Sequence, residues 1–197
     1  MFPVCSDRVK PPYPGNCGPV FHRNQKFKIL ALAVLLILPS PLMADALQGQ
    51  ASIVDGDTLE IHGTRIRLFG IDAPESDQTC HDDDGRLYRC GQKAANELAE
   101  FIGAKTVSCA PRNLDQYGRT VAICFSGDID LADWLVRSGL ALDWPQYSKG
   151  KYAAAQKAAE HSGDGMWGGQ WVEPWRYRTC IRAGGRPAGC SESAARQ

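Results

Sequence analysis

Short alternating runs of apolar and polar residues begin at Gln48. In Arg65–Ile71, Ile66 and Leu68 fall on one side and Arg65 and Arg67 on the other, which is the two-residue period of a half-buried strand. Gln48–Val54 and Thr58–His62 alternate in the same way, with Asp55-Gly56 as a hairpin signal between them and His62-Gly63 as a second turn. Residues 48–71 therefore predict a three-stranded antiparallel meander. The period changes at Gln92: Ala94, Ala95, Leu98, Ala99 and Ile102 make one helical stripe, stopped by Gly103. Lys105–Ala110 and Arg119–Phe125 read as strands around a turn that ends at Tyr117-Gly118. Asp130 can cap a helix over Leu131–Arg137, halted by Gly139, and an Ala-rich helix covers Tyr152–His161.

This order, β-β-β-α-β-β-α-α, predicts an α+β, mainly β fold: a five-stranded OB-fold barrel with three helices, which closes a small sheet on itself. The domain is expected over residues 47–167. Residues 168–197 have little periodicity and are expected to be an Arg- and Trp-containing tail laid over it.

The segment before the barrel has a different pattern. Ile29–Leu38 is an unbroken apolar run preceded by Arg23, Lys26 and Lys28, then broken by Pro39-Ser40-Pro41 and followed by Ala44-Asp45-Ala46. A basic region, a short apolar run and a small-residue cut make a secretory signal peptide. Residues 1–46 are accordingly expected to be a flexible extension plus a signal peptide cut after Ala46. The run is shorter than the ~20 apolar residues of a membrane span. The expectation is a secreted or periplasmic monomer with no stable span after cleavage; the alternative is a chain anchored by an uncleaved N-terminal segment. The cut would leave Cys80, Cys90, Cys109, Cys124, Cys180 and Cys190, an even set with no C-x-x-C pair. That argues for disulfides in an oxidising compartment over a zinc ribbon. Among the many possible pairings, the local set Cys80–Cys90, Cys109–Cys124 and Cys180–Cys190 is expected, each closing a short loop.

Composition adds an exclusion and a refinement. With 44% hydrophobic and 22% charged residues the chain is ordinary for a globular protein. Its 22 Lys+Arg against 22 Asp+Glu exclude a uniformly basic coat protein. The balance hides a segregation, however. Acidic residues outnumber basic ones over 47–174, including Asp77 and the run Asp82-Asp83-Asp84, whereas Arg176, Arg178, Arg182, Arg186 and Arg196 cluster at the end. The acidic run reads as a solvated turn in preference to a cation site.

Three polar patches sit at predicted strand ends: Asp55-Gly56-Asp57-Thr58, Arg67 to Glu75 (RLFGIDAPE), and Asp115-Gln116-Tyr117-Gly118-Arg119. Alone, the first reads as a hairpin turn, Asp72 to Glu75 as a strand exit into a solvated loop, and Arg119 as one exposed charge on a strand. Together they supply parts for phosphodiester hydrolysis. Asp57 and Asp72 offer hard oxygen ligands, Glu75 a base, and Arg67 and Arg119 planar forks matched to phosphate oxygens.

In order and spacing these patches resemble the staphylococcal (micrococcal) nuclease family, over roughly Gln50–Trp167. The resemblance implies an OB-type barrel with flanking helices and an exported, Ca2+-dependent nuclease. Such an enzyme cuts DNA and RNA with little sequence preference and leaves 3′-phosphate ends. It implies Asp57, Asp72 and the backbone carbonyl of Ala73 as calcium ligands, Arg67 and Arg119 on the scissile phosphate, and Glu75 as general base. Trp144 and Tyr147 fall near positions that flank a nucleotide base. Ala73 stands where the best-known member has threonine, and the loop after Glu75 is acidic where that member's is lysine-rich. The alternative is a catalytically silent OB-fold module that binds nucleic acid or an envelope partner.

Overall fold

In the computed structural model, which describes residues 47–192, the alternating runs become paired strands. The N-terminal extension, the apolar run and the expected cut after Ala46 lie outside the described residues. The first half contains β1 (Leu47–Gln50), β2 (Ser52–Ile53), β3 (Thr58–Ile61), β4 (Thr64–Leu68), β5 (Ile71–Asp72), β6 (Cys80–His81), β7 (Leu87–Tyr88) and α1 (Cys90–Ile102). Then follow β8 (Thr106–Leu114), β9 (Thr120–Ser126), β10 (Ile129–Asp130), α2 (Leu131–Arg137), β11 (Leu142–Asp143), α3 (Pro145–Ser148) and α4 (Ala153–Ser162). A 3-10 turn over Gly165–Gly168 leads to α5 (Pro174–Arg182) and α6 (Pro187–Glu192).

The main sheet runs β1-β8-β9-β4-β3-β2. β1 and β2 are the two halves of one bent run, and they pair with β8 and β3 respectively. The sheet therefore nearly closes on itself as an OB-type barrel. β4 and β9 are parallel, and the other neighbours in the main sheet are antiparallel. Inward side chains Leu59, Ile61, Ile66, Leu68, Val107 and Ala122 form the core, covered by the α1 stripe Ala94, Leu98 and Ile102 and by Leu131 and Leu135 of α2. Helix α2 starts where the Asp130 carboxylate accepts from the backbone N–H groups of Ala132 and Asp133.

The predicted strand over Arg65–Ile71 is interrupted. Gly70 has φ +74°, and a Cβ there would lie 2.8 Å from that of Ser148. The kink ends β4 and sends β5 to pair with β11, Asp72 opposite Leu142. The helices expected over 92–102, 131–137 and 152–161 are α1, α2 and α4, with α1 starting earlier, at Cys90.

The C-terminal segment, in which the sequence shows little periodicity, contains two helices. Pro174 and Pro187 each open a helix, and the two helices pack on each other. Proline suits the first helical turn, whose N–H groups have no intrahelical partner. Disulfides join Cys80–Cys90, Cys109–Cys124 and Cys180–Cys190. Cys109 and Cys124 are direct cross-strand partners. Cys180–Cys190 ties α5 to α6.

Candidate active site

Four residues from two of the sequence patches meet at one end of the barrel. Asp57 follows the turn before β3, Arg67 lies in β4, Asp72 in β5, and Glu75 in the loop beyond. Thr58 of β3 is the register partner of Arg67, so the turn that carries Asp57 is brought against β4. Both aspartates are buried: the Asp72 side chain is 0% exposed and that of Asp57 5%. Such carboxylates need compensating donors. Arg67 supplies them to both. Its Nη1 donates to Asp57 Oδ1 at 3.0 Å and its Nη2 to Asp72 Oδ1 at 2.9 Å; Nη2 is also 2.9 Å from Asp57 Oδ2. Asp57 accepts further from the Thr58 hydroxyl at 3.1 Å and the Ala73 N–H at 3.1 Å.

Burial pushes the Asp57 carboxyl up to about 7, against the pull of Arg67, and Asp55 and Asp72 add to the rise. For Arg67, burial works the other way but is outweighed by Asp57 and Asp72, so the guanidinium is held above its ordinary range.

Glu75 is placed by a close backbone approach. At Gly91, in the first turn of α1, a Cβ would stand 1.9 Å from the Glu75 carbonyl oxygen. Only glycine allows α1 to begin against this loop. The Glu75 N–H donates to Gln78 Oε1 at 3.2 Å, and the Gln78 N–H returns to the Glu75 carbonyl at 2.8 Å.

Arg119 stands apart from this cluster. Its Nε donates to Asp115 Oδ2 at 2.7 Å, and its guanidinium lies over the Tyr117 ring. It immediately precedes β9, two residues before Val121, the parallel register partner of Arg67. By the period of two it shares a sheet face with Arg67.

Trp144 is half-buried just after β11, and its backbone N–H donates to the Gly70 carbonyl at 2.9 Å. Its ring meets Tyr147 edge-on at 4.6 Å, while Trp175 of α5 stacks on it at 6.1 Å. Tyr147 is 51% exposed. The expected base-flanking pair is thus together, with one more indole against it.

The sequence reading missed Arg178. This α5 residue donates Nη1 to Asp72 Oδ1 at 2.9 Å and Nη2 to Asp72 Oδ2 at 2.8 Å, and Nη1 reaches Glu75 Oε1 at 2.7 Å. Burial lowers its affinity for the proton, but the hydrogen bonds and charges of Asp72 and Glu75 outweigh this and hold it well above the arginine range. The Arg178 guanidinium also lies 5.7 Å from the centre of the Trp144 ring. The only signal in the sequence was the arginine-rich end, which did not single out this residue.

Among the described residues, no three His, Cys, Asp or Glu side chains converge as a metal cage. A cation here would find the two buried carboxylates of Asp57 and Asp72; the Ala73 group seen against Asp57 is its N–H. The carboxylate pair is all hard oxygen and fits calcium or magnesium, which fill remaining positions with water. In this structure Arg67 lies against both aspartates and Arg178 against Asp72. The acidic run lies elsewhere: Asp82 and Asp84 close around Arg86.

A family model described as "Staphylococcal nuclease homologue" matches residues 65–169. A relative named succinoglycan biosynthesis protein ExoI, from Rhizobium meliloti, is 43% identical over 141 residues, covering 71% of this chain and 74% of the relative. A micrococcal nuclease of Shigella flexneri is 29% identical over 168 residues, 77% of this chain and 91% of that protein. An uncharacterized endonuclease of Haemophilus influenzae is 30% identical over 161 residues, 77% and 85% of the two chains.

Proposed function

We propose, because the chain belongs to the staphylococcal nuclease family, that it is an exported, calcium-dependent nuclease. It hydrolyses phosphodiester bonds of DNA or RNA with little sequence preference and leaves 3′-phosphate ends. The observation that carries this reading is the convergence of Asp57, Arg67, Asp72 and Glu75 at one barrel end. Those residues combine acid ligands, a base and a phosphate-binding fork.

Asp57, Asp72 and the Ala73 carbonyl would hold calcium. When bound, it would supply Lewis acidity at a phosphoryl oxygen and neutralise developing charge. Glu75 takes a proton from a water whose oxygen attacks phosphorus. The P–O5′ bond breaks and the departing 5′ oxygen takes a proton from solvent, leaving a 3′-phosphate and a 5′-hydroxyl end. Arg67 and Arg119, on one face of the β4–β9 pair, stabilise the charge that accumulates on the phosphoryl oxygens. Trp144 and Tyr147 offer ring faces to an unpaired base. Shape and stacking, not base-edge readout, would then govern binding.

Export is supported by the disulfides, which persist in oxidising compartments, and by the basic–apolar–small order before Leu47. Among the described residues no helix is long and apolar enough to cross a membrane. Residues 47–167 would form the nuclease domain, and a monomer suffices, since every proposed group comes from one chain.

The alternative, a silent binding module, is favoured by one feature: the Asp57 and Asp72 carboxylates are already engaged by arginines. The two readings part in a cleavage assay on single-stranded DNA and RNA. Cutting with calcium that stops on chelation supports the nuclease. Binding with no cutting, or cutting indifferent to chelator, contradicts it.

A further inference from the structure

The C-terminal segment is outside the residues matched to the family model, yet it reaches the centre of the site. We propose that Arg178 is a positioning residue of the active site, and that the α5–α6 hairpin exists in part to deliver it. This inference rests on the nuclease reading and assigns a role to a residue outside the three sequence patches.

The geometry is specific. Arg178 grips both oxygens of Asp72 as a fork and extends the same Nη1 to Glu75. Bidentate guanidinium–carboxylate pairs fix orientation as well as charge. Asp72 has no exposed side-chain area, so it needs this compensation. Glu75 is different: its side chain is 39% exposed on an irregular loop, and Arg178 is the group seen to hold its carboxylate. Without that bond the base would sample several rotamers.

Delivery is rigid. Tyr177, the neighbour of Arg178, is buried beside Val172 and Cys190. The Cys180–Cys190 bridge ties α5 down, and Trp175, one turn earlier, stacks on Trp144. The same segment also braces the loop beyond Glu75. Gln78 Nε2 donates to the Val172 carbonyl at 2.6 Å, the Thr79 N–H donates to Ser191 Oγ at 3.0 Å, and His81 and Gln170 exchange backbone hydrogen bonds. The C-terminal segment therefore holds both the base and the loop that carries it.

The test compares full-chain wild type, Arg178→Ala, Arg178→Lys and the control Arg176→Ala, whose exposed side chain pairs with Glu173. Misplacing a reacting group by about 1 Å can cost on the order of 100-fold. Arg178→Ala is expected to lower kcat about 10- to 100-fold with KM changed less than about threefold. Millimolar guanidinium should restore part of the loss, and Arg178→Lys should be intermediate, because a lysine cannot form the fork. Arg176→Ala should behave as wild type. If Arg178→Ala and Arg178→Lys keep wild-type kcat, or if either cuts faster, the proposal is overturned; a faster variant would mean that the contact blocks the site.

A second readout does not depend on cleavage. Amide exchange at Glu75 and Gln78 should quicken in Arg178→Ala relative to Arg176→Ala. Unchanged exchange overturns the positioning role. If wild type fails to cut while exchange responds as expected, the nuclease reading fails and the positioning contact stands.

Discussion

The barrel and the C-terminal hairpin stabilise themselves by different means, and each contributes charge to the same site. The barrel buries a continuous apolar cluster, Leu59, Ile61, Ile66, Leu68 and Val107 among its members, under the stripe of α1. The hairpin has only small clusters. Met166 and Leu142 lie near Trp167, Trp171 and Trp175, and Val172 and Tyr177 gather around a disulfide. What it lacks in apolar area it makes up with the Cys180–Cys190 bridge and polar stitches to residues 75–81. The barrel therefore sets where Asp57, Arg67 and Asp72 stand, and the hairpin restrains the more exposed Glu75.

This contrast predicts a graded series of effects. The largest should follow Arg67→Ala. It removes a charge-stabilising fork, for which a loss of about 100- to 1000-fold in rate is expected. It also leaves the buried Asp57 carboxylate without its guanidinium, while Asp72 keeps Arg178; removing one partner of a buried pair costs about 3–5 kcal/mol. Urea unfolding should show the stability loss as a lower midpoint. A fully active Arg67→Ala enzyme would break the claim that the barrel end is the reacting centre.

An intermediate effect is expected when Cys180 and Cys190 are both replaced by serine. Short-loop disulfides contribute about 2–3 kcal/mol. Here the loss should be local: amides of 170–192 and 75–79 exchange faster while those of β4 and β9 do not. Equal acceleration throughout would mean that barrel and hairpin form one cooperative unit, and the distinction between them would fall.

The smallest effect belongs to Trp175→Ala. It removes the indole stacked on Trp144, an interaction worth about 0.5–1.5 kcal/mol beyond area. Melting temperature should fall slightly. Affinity for single-stranded oligonucleotide should hold or rise if the uncovered Trp144 face receives a base. A large loss of affinity would instead place Trp175 itself on the substrate.

The same contrast explains what could be read from the chain. Strand alternation at Ile66 and Leu68, the stripe Ala94–Leu98–Ile102 and the Asp130 cap are local patterns, and each corresponds to an element. The convergence of Asp57, Arg67 and Asp72 follows from short connections between consecutive strands, so it too was within reach. Gly70 was not recognised as a break, because one of the constraints on it, the close approach of Ser148, comes from far along the chain. The contact between Arg178 and Asp72 spans 106 positions and leaves no period or spacing to detect. The C-terminal helices were missed for a related reason. Their apolar residues are few, and what holds them is a disulfide and contacts to a distant loop, not a stripe of their own.

The most direct test of the account is single-turnover cleavage of end-labelled single-stranded DNA by wild type and Glu75→Gln, with calcium and with chelator. The account predicts that wild type cuts only with calcium and leaves 3′-phosphate ends. Glu75→Gln should be slower by about 100-fold or more, within the range attributed to positioned proton transfer. Equal rates for the two proteins, or cutting that survives chelation, would contradict it.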